Sequence, residues 1–217
     1  MDYSFILQDS QKSQILARIL AHLMGDGCVT NKYFAYYNKE EFLLEKFERD
    51  LCTLFGKLHI IKGQVNSGTF FRMICNKDIR LFFLSIVDNF KSNYLRLPLF
   101  INSKELQKEF LKSFYDDEGC VALRIFTKTG EIKRNLTLSS NSLFLLQEIK
   151  EILKLNFNIT SNRIIKSLRK RNGREFVNYV LSITGKSNFE RFRDLIGFYH
   201  PSKIERLNKM ISSYIRK

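Results

Sequence analysis

The stretch 132–139 alternates strictly. Ile132, Arg134, Leu136 and Leu138 fall on one face, and Lys133, Asn135, Thr137 and Ser139 on the other. A period of two predicts a strand buried on its apolar side, with a hydrogen-bonding outer face. Elsewhere the rhythm is helical. Phe42-Leu43-Leu44 opens a pattern that closes with Leu51 and Phe55, and Phe144-Leu145-Leu146 opens one that closes with Leu153 and Phe157. The first stretch of the chain reads as helices near 11–26, 40–55 and 77–88, with strands near 28–37, 58–66 and 69–76. The remainder reads as helices near 103–118, 142–155 and 186–196, with strands near 120–128, 131–139, 159–168 and 175–184. A last helix, near 202–215, follows Pro201, which suits a first helical turn.

These elements repeat. Gly27-Cys28-Val29 recurs 92 residues later as Gly119-Cys120-Val121, each time after an acidic residue, Asp26 or Glu118. Phe42-Leu43-Leu44 recurs 102 residues later, and the extra length falls in the expected hairpin 121–139. Each half can be drawn as helix, two strands, helix, two strands, helix. The expectation is an α+β chain of two pseudo-repeats, 1–100 and 101–217, linked through 91–102, which contains Pro98.

Composition narrows the class. The 217 residues include 20 Phe and 9 Tyr but only 10 Gly and 2 Pro, which excludes a disordered basic tail and a low-complexity architecture. The formal net charge is +14, which suggests a polyanionic partner. That charge is uneven. Residues 1–119 hold 16 basic and 15 acidic side chains, whereas 120–174 hold 12 and 3. The excess therefore lies on candidate strands, where Lys, Arg, Asn, Thr and Ser can meet phosphates and base edges.

The chain's start shows no basic segment followed by an apolar one, and its longest uncharged apolar run, 81–87, is too short to span a membrane. Cys28, Cys52, Cys75 and Cys120 form no CxxC pair, so zinc-knuckle spacing is absent. A reduced intracellular compartment is expected, cytoplasm or nucleoid, or an organelle.

The chemistry lies where the first helix of each half stops. Ala17, Ala21 and Gly25 recur every four residues, a small-residue seam along which another helix can approach closely. Gly27 reads as a left-handed cap that ends this helix, and Gly119 stops the second. Both helices end on acids, Asp26 in the first and Asp116-Asp117-Glu118 in the second. An acid at a helix C-terminus is disfavoured by about 0.3–1 kcal/mol. Packing through the small faces would also bring Asp26 and Glu118 close enough to repel. A hard divalent cation resolves that conflict, since Mg²⁺ favours carboxylate oxygens. Asp116 and Asp117 read as capping or solvent-facing groups, and His22, one turn before Asp26, as a packed or solvent-facing histidine, with an Asp26/His22 metal pair on one helix face as the alternative.

The two stretches that carry these acids, Ile19-Leu20-Ala21-His22-Leu23-Met24-Gly25-Asp26-Gly27 and Leu111-Lys112-Ser113-Phe114-Tyr115-Asp116-Asp117-Glu118-Gly119, resemble the two motifs of the LAGLIDADG homing endonucleases. The spacing is similar to that of single-chain, two-motif members, notably archaeal intron- and intein-encoded ones. The resemblance implies a pseudo-twofold duplicated αββαββα fold with two central packed motif helices and two antiparallel, saddle-shaped sheets on double-stranded DNA. It implies a monomer that binds Mg²⁺, or Mn²⁺ in its place, through the last acid of each motif, Asp26 and Glu118, and cuts one strand with each. Met24 departs from the first Asp of the motif, a position Asp116 keeps in the second.

Arg72, Arg124 and Lys186 are candidates for basic groups near the cleavage centre. Lys32, Lys133, Asn135, Arg169, Lys170 and Arg171 are candidates for DNA contact, the last three on the hairpin tip Arg169-Lys170-Arg171-Asn172-Gly173. The alternative from a different class is a binding protein on the same fold, either a catalytically inactive DNA-binding protein or a maturase that binds intron RNA.

Overall fold

The computed structural model describes residues 3–65, 68–126, 130–171 and 174–214. Helix α1 (Phe5–Gln8) leads into α2 (Ser10–Met24), and β1 (Gly27–Val29) and β2 (Phe34–Asn38) follow. Next come α3 (Glu41–Phe55), β3 (Ile61–Gln64), β4 (Phe70–Ile74), α4 (Lys77–Ile86) and α5 (Lys104–Glu118). The remainder is β5 (Gly119–Ile125), β6 (Ile132–Ser140), α6 (Leu143–Phe157), β7 (Ile165–Arg171), β8 (Arg174–Ile183), α7 (Lys186–Leu195) and α8 (Pro201–Ser212). The strands form two four-stranded antiparallel sheets of matching order, β1-β2-β4-β3 and β5-β6-β8-β7. The α+β architecture with two equivalent sheets is the one the sequence repeat predicts.

Two expectations need correction. The single strand expected over 28–37 is a hairpin, because Thr30 turns the chain. Its Oγ1 accepts the Lys32 and Tyr33 amides at 3.2 and 3.1 Å, and its amide donates to Tyr33 O at 2.9 Å. Gly27 is not a left-handed cap. Among the described residues the glycines with positive φ are Gly56, Gly68, Gly130, Gly185 and Gly197. Gly27 is required by close approach instead, since a Cβ there would lie 2.6 Å from Leu23 Cα and 2.8 Å from His22 O.

The chain forms two compact units, Met1–Lys91 with Leu95–Asp117, and Ser92–Tyr94 with Glu118–Lys217. In the first unit, α2 starts at Asp9, whose carboxylate accepts the Gln11 and Lys12 amides. Phe34 packs on Phe83 of α4 and Tyr36 on Phe47 of α3, so this face of the sheet carries the core. Arg18 of α2 ties two other helices together, with a bidentate pair to Asp50 of α3 at 2.9 Å and a bond to Glu109 of α5 at 3.0 Å. These bonds explain why α5 belongs to the compact first unit although it opens the second sequence repeat.

In the second unit the alternation read from 132–139 holds. Leu136 and Leu138 are fully buried, while Lys133 is exposed. Arg134, on the apolar face, does not break the core, because it reaches the end of α8. Its guanidinium donates to Ser213 Oγ at 2.7 Å and Ser213 O at 2.8 Å and lies over the Tyr214 ring. Among the described residues no helix is long and apolar enough to cross a membrane.

Candidate functional site

Asp26 lies in the turn after α2, one residue past its Gly25 cap, and is exposed. Its backbone oxygen accepts the Tyr37 amide at 3.2 Å, which fixes the acid at the mouth of the first hairpin. Glu118 is the last residue of α5 and is half-buried. The next residue, Gly119, opens β5, and its carbonyl accepts Lys203 Nζ of α8 at 2.7 Å. A cation at a helix C-terminus offsets the partial negative charge there, and nothing in the sequence pattern singles out Lys203 for that place.

Among the described residues no three His, Cys, Asp or Glu side chains converge into a ready-made cage. A cation at Asp26 or Glu118 would therefore complete its shell with water and phosphate oxygens. Mg²⁺ favours that donor set, since it retains several waters and takes one or two carboxylates. The residues present fit the ion implied by the resemblance.

The main surprise is Asp117. It does not face solvent. Its side chain is fully buried, with Oδ2 2.9 Å from His22 Nδ1 and Oδ1 accepting the Tyr36 hydroxyl at 2.6 Å. Asn38 Nδ2 lies 2.9 Å from Tyr36 Oη, 3.3 Å from Asp117 Oδ1 and 3.5 Å from Asp26 Oδ2. Burial, then the Asp117 charge beside it, hold the Tyr36 hydroxyl well above its ordinary pKa, so it remains a donor. His22 packs as expected, its ring against Tyr36 and Phe47. Asp116 is also buried, at 2% exposure.

A sequence signal for Asp117 existed. By the 92-residue offset it stands where the first half has Gly25, and a Cβ added to Gly25 would lie 3.0 Å from Asp117 Cβ. A carboxylate in a small-residue seam must find buried partners, and His22 is the titratable group on that face.

The candidate DNA contacts separate by position. Lys32 is exposed in the turn between β1 and β2. Arg124 and Lys133 are cross-strand neighbours, both exposed, with Lys133 Nζ 5.1 Å from the Phe126 ring centroid. Asn135 shares their face, and its Oδ1 is buried without a hydrogen-bond partner among the described residues. Arg169, Lys170 and Arg171 lie in β7, in register with Phe176, Glu175 and Arg174 of β8; Asn172 and Gly173 of the expected hairpin tip lie outside the described residues.

Two candidates are placed elsewhere. Arg72 is only 4% exposed and bonds Glu48 of α3 at 3.1 Å. It lies in register with Tyr36, on the helix-covered face, and is thus committed to the core rather than to DNA. Lys186 is the first residue of α7, off the strands, 3.7 Å from Glu190. The Cys28 thiol is pushed above its usual pKa by burial, consistent with a packing role.

Comparison with known proteins bears on this geometry. Residues 105–197 match the family model described as a LAGLIDADG-like domain. The fold is that of the homing endonuclease I-DmoI. A structure of its mesophilic variants superposes with a TM-score of 0.64 at 18% identity, over 91% of this chain and 98% of that one. I-DmoI has been crystallised with DNA and Mn and with DNA and Ca, and a variant of it with its target DNA and Mg. Full-length DUF199/WhiA from Thermatoga maritima also superposes, with a TM-score of 0.59 at 13% identity, over 96% of this chain and 64% of that one. In sequence, the chain is 33% identical over 196 residues to a probable translation initiation factor IF-2 from Methanocaldococcus jannaschii, covering 87% of this chain. The match spans 15% of that factor's length.

Proposed function

We propose that this chain is a site-specific double-strand DNA endonuclease that hydrolyses phosphodiester bonds of a long asymmetric target with Mg²⁺. The observation that carries the reading is the placement of its two motif acids. Asp26 stands two residues past the end of one motif helix and Glu118 is the last residue of the other, and each is followed directly by the first strand of a four-stranded sheet. The reading also draws support from the DNA and metal complexes of I-DmoI.

In this reading each acid serves one strand. A bound Mg²⁺ supplies an activated water and charge stabilisation at the scissile phosphate. The protein's own part is positional: Asp26 and Glu118 present carboxylate oxygens, and Lys203 offsets the negative end of α5 at Gly119. Arg124, Lys133 and Asn135 on the second sheet hold DNA, and Lys32 does so from the first hairpin. Arg169, Lys170 and Arg171 add further basic contacts along β7. The chain acts as a monomer on duplex DNA, in the cytoplasm or nucleoid.

A match confined to 15% of a translation factor supports a module that also occurs within longer proteins. The uninterrupted coding sequence at such a position is then the first target to test. Incubating the chain with that DNA and Mg²⁺ should give double-strand breaks that EDTA abolishes. Asp26→Asn and Glu118→Gln should each leave at most a nick. Tight binding with no nicking of any target, indifferent to EDTA, would instead indicate a DNA-binding or intron-RNA-binding protein on the same fold.

A further inference from the structure

We propose that Asn38 is a positioning residue for Asp26, held in place by Tyr36 and Asp117, and that this support belongs to one of the two motif acids only. The inference rests on the nuclease reading above and assigns a role to residues that its mechanism does not use.

The hydrogen-bond sense is determined by chemistry. A carboxylate accepts only, so the Tyr36 hydroxyl donates to Asp117 Oδ1 and its oxygen accepts from Asn38 Nδ2. Asn38 Oδ1 accepts the Glu40 amide at 3.0 Å, which sets the orientation of the amide. The second Nδ2 hydrogen is shared between Asp117 Oδ1 at 3.3 Å and Asp26 Oδ2 at 3.5 Å, so Asn38 bridges the buried carboxylate to the exposed one. Asp117 is anchored in turn by His22. A chain of donors thus runs from a fully buried carboxylate to the exposed acid, and orients the oxygen that would face a cation. Metal-ligating carboxylates depend on such outer hydrogen bonds for orientation and affinity.

The second half carries different groups at the equivalent places. Gly27 pairs with Tyr36, whereas Gly119 pairs with Leu138. Leu138 therefore stands in place of Tyr36, and Ser140 in place of Asn38. Phe114 stands in place of His22 by the 92-residue offset. Leucine and phenylalanine offer no donor, and the Ser140 hydroxyl is buried and accepts the Ser142 amide. The same relay cannot be built from these residues.

The test uses the full chain in two readouts. Strand-resolved cleavage of an end-labelled target follows each cut separately, with Asp26→Asn identifying the strand Asp26 serves. Tyrosine-sensitised Tb³⁺ luminescence on the protein alone follows the binding component that Asp26→Asn removes. Asn38→Leu keeps the branched shape and removes the N–H donor without adding a charge, and Tyr36→Phe removes the link to Asp117. Each should slow the Asp26 cut about tenfold, the scale of one hydrogen bond to a charged group. Each should also weaken the Asp26-dependent Tb³⁺ component, leave the other cut within about twofold and let nicked DNA accumulate. Ser140→Ala should change neither cut. Equal slowing of both strands, or unchanged Tb³⁺ binding in Asn38→Leu, would overturn the proposal. A wild-type chain that cuts neither strand removes the nuclease reading, and the Tb³⁺ component alone then decides the role of Asn38.

Discussion

His22 Nδ1 and Asp117 Oδ2 face each other at 2.9 Å with both side chains fully buried. They join α2 to α5 at the level where Gly25 leaves room for the Asp117 side chain. Asp117 also accepts the Tyr36 hydroxyl, so three elements meet on one carboxylate. Removing one member of a buried polar pair leaves the other unsatisfied, and the expected cost is about 1–3 kcal/mol for each group so left. Asp117→Ala should therefore lower the urea midpoint strongly. Asp117→Asn, which keeps an acceptor for Tyr36, should lower it less. Equal midpoints for Asp117→Ala and the wild type would show that the cluster contributes nothing to folding.

Gly27 can be tested by a single methyl. A Cβ there would meet Leu23 Cα at 2.6 Å and Ala35 O at 2.9 Å, both backbone atoms that cannot move aside. Gly27→Ala should destabilise by about 1–3 kcal/mol, the range for overpacking a close contact. Thermal denaturation reads this directly, and a neutral result would contradict the observed approach.

Arg134 holds α8 by two hydrogen bonds to Ser213 and by the Tyr214 ring. Arg134→Ala should speed amide exchange along Pro201–Ser212, with little change in α3. Arg134→Lys should not restore protection, because an ammonium cannot donate in a planar fork while stacking. Restored protection in the lysine variant would reduce the contact to simple charge.

The exposed and buried arginines and lysines should behave differently towards DNA. Lys133→Ala and Arg124→Ala should each reduce the salt dependence of duplex binding by about one unit of slope. Arg72→Ala should leave the slope unchanged and lower stability instead, because its partner is Glu48. Fluorescence anisotropy over a salt series separates the two classes. A reduced slope for Arg72→Ala would return that residue to the interface.

Acid sensitivity should arise partly at the start of α2. The Lys12 amide, together with that of Gln11, holds the Asp9 carboxyl below its ordinary value of 3.8. A lowered folded pKa gives a contribution that is complete above the unfolded value and is lost as pH falls through the folded one. Asp9→Asn keeps an N-cap acceptor but cannot titrate. Its melting temperature should therefore fall less than the wild type's below about pH 4. Parallel pH profiles would exclude Asp9 as a source of acid lability.

How much is legible without the fold can be read from particular residues. The 92-residue recurrence of Gly-Cys-Val locates the strand that opens each sheet, and strict alternation locates the faces of β6, with Lys133 outward and Leu136 inward. The first hairpin reads as one strand, since the polar run Thr30-Asn31-Lys32 holds no Gly or Pro to mark a turn and the turn depends on the Thr30 hydroxyl. Arg72 reads as a DNA contact for a related reason. A basic residue in a strand is ordinarily exposed, and only the position of Glu48 on α3 shows that this one is buried in an ion pair.

The amino-acid sequence by itself determined the duplicated α+β plan, the acids Asp26 and Glu118 at the motif ends, and the basic excess over 120–174. Those properties are periodic or cumulative, so they survive without knowledge of which segments meet. The tertiary structure alone decided the partners of Asp117, the orientation of Arg72 and the link from Asn38 to Asp26. Asp117 lies 95 positions from His22 and 81 from Tyr36, and no local pattern couples residues that far apart. Whether a carboxylate is a solvated helix end or a buried anchor depends on the partners that folding brings to it. The desolvation of an unpaired charge makes only the paired arrangement stable.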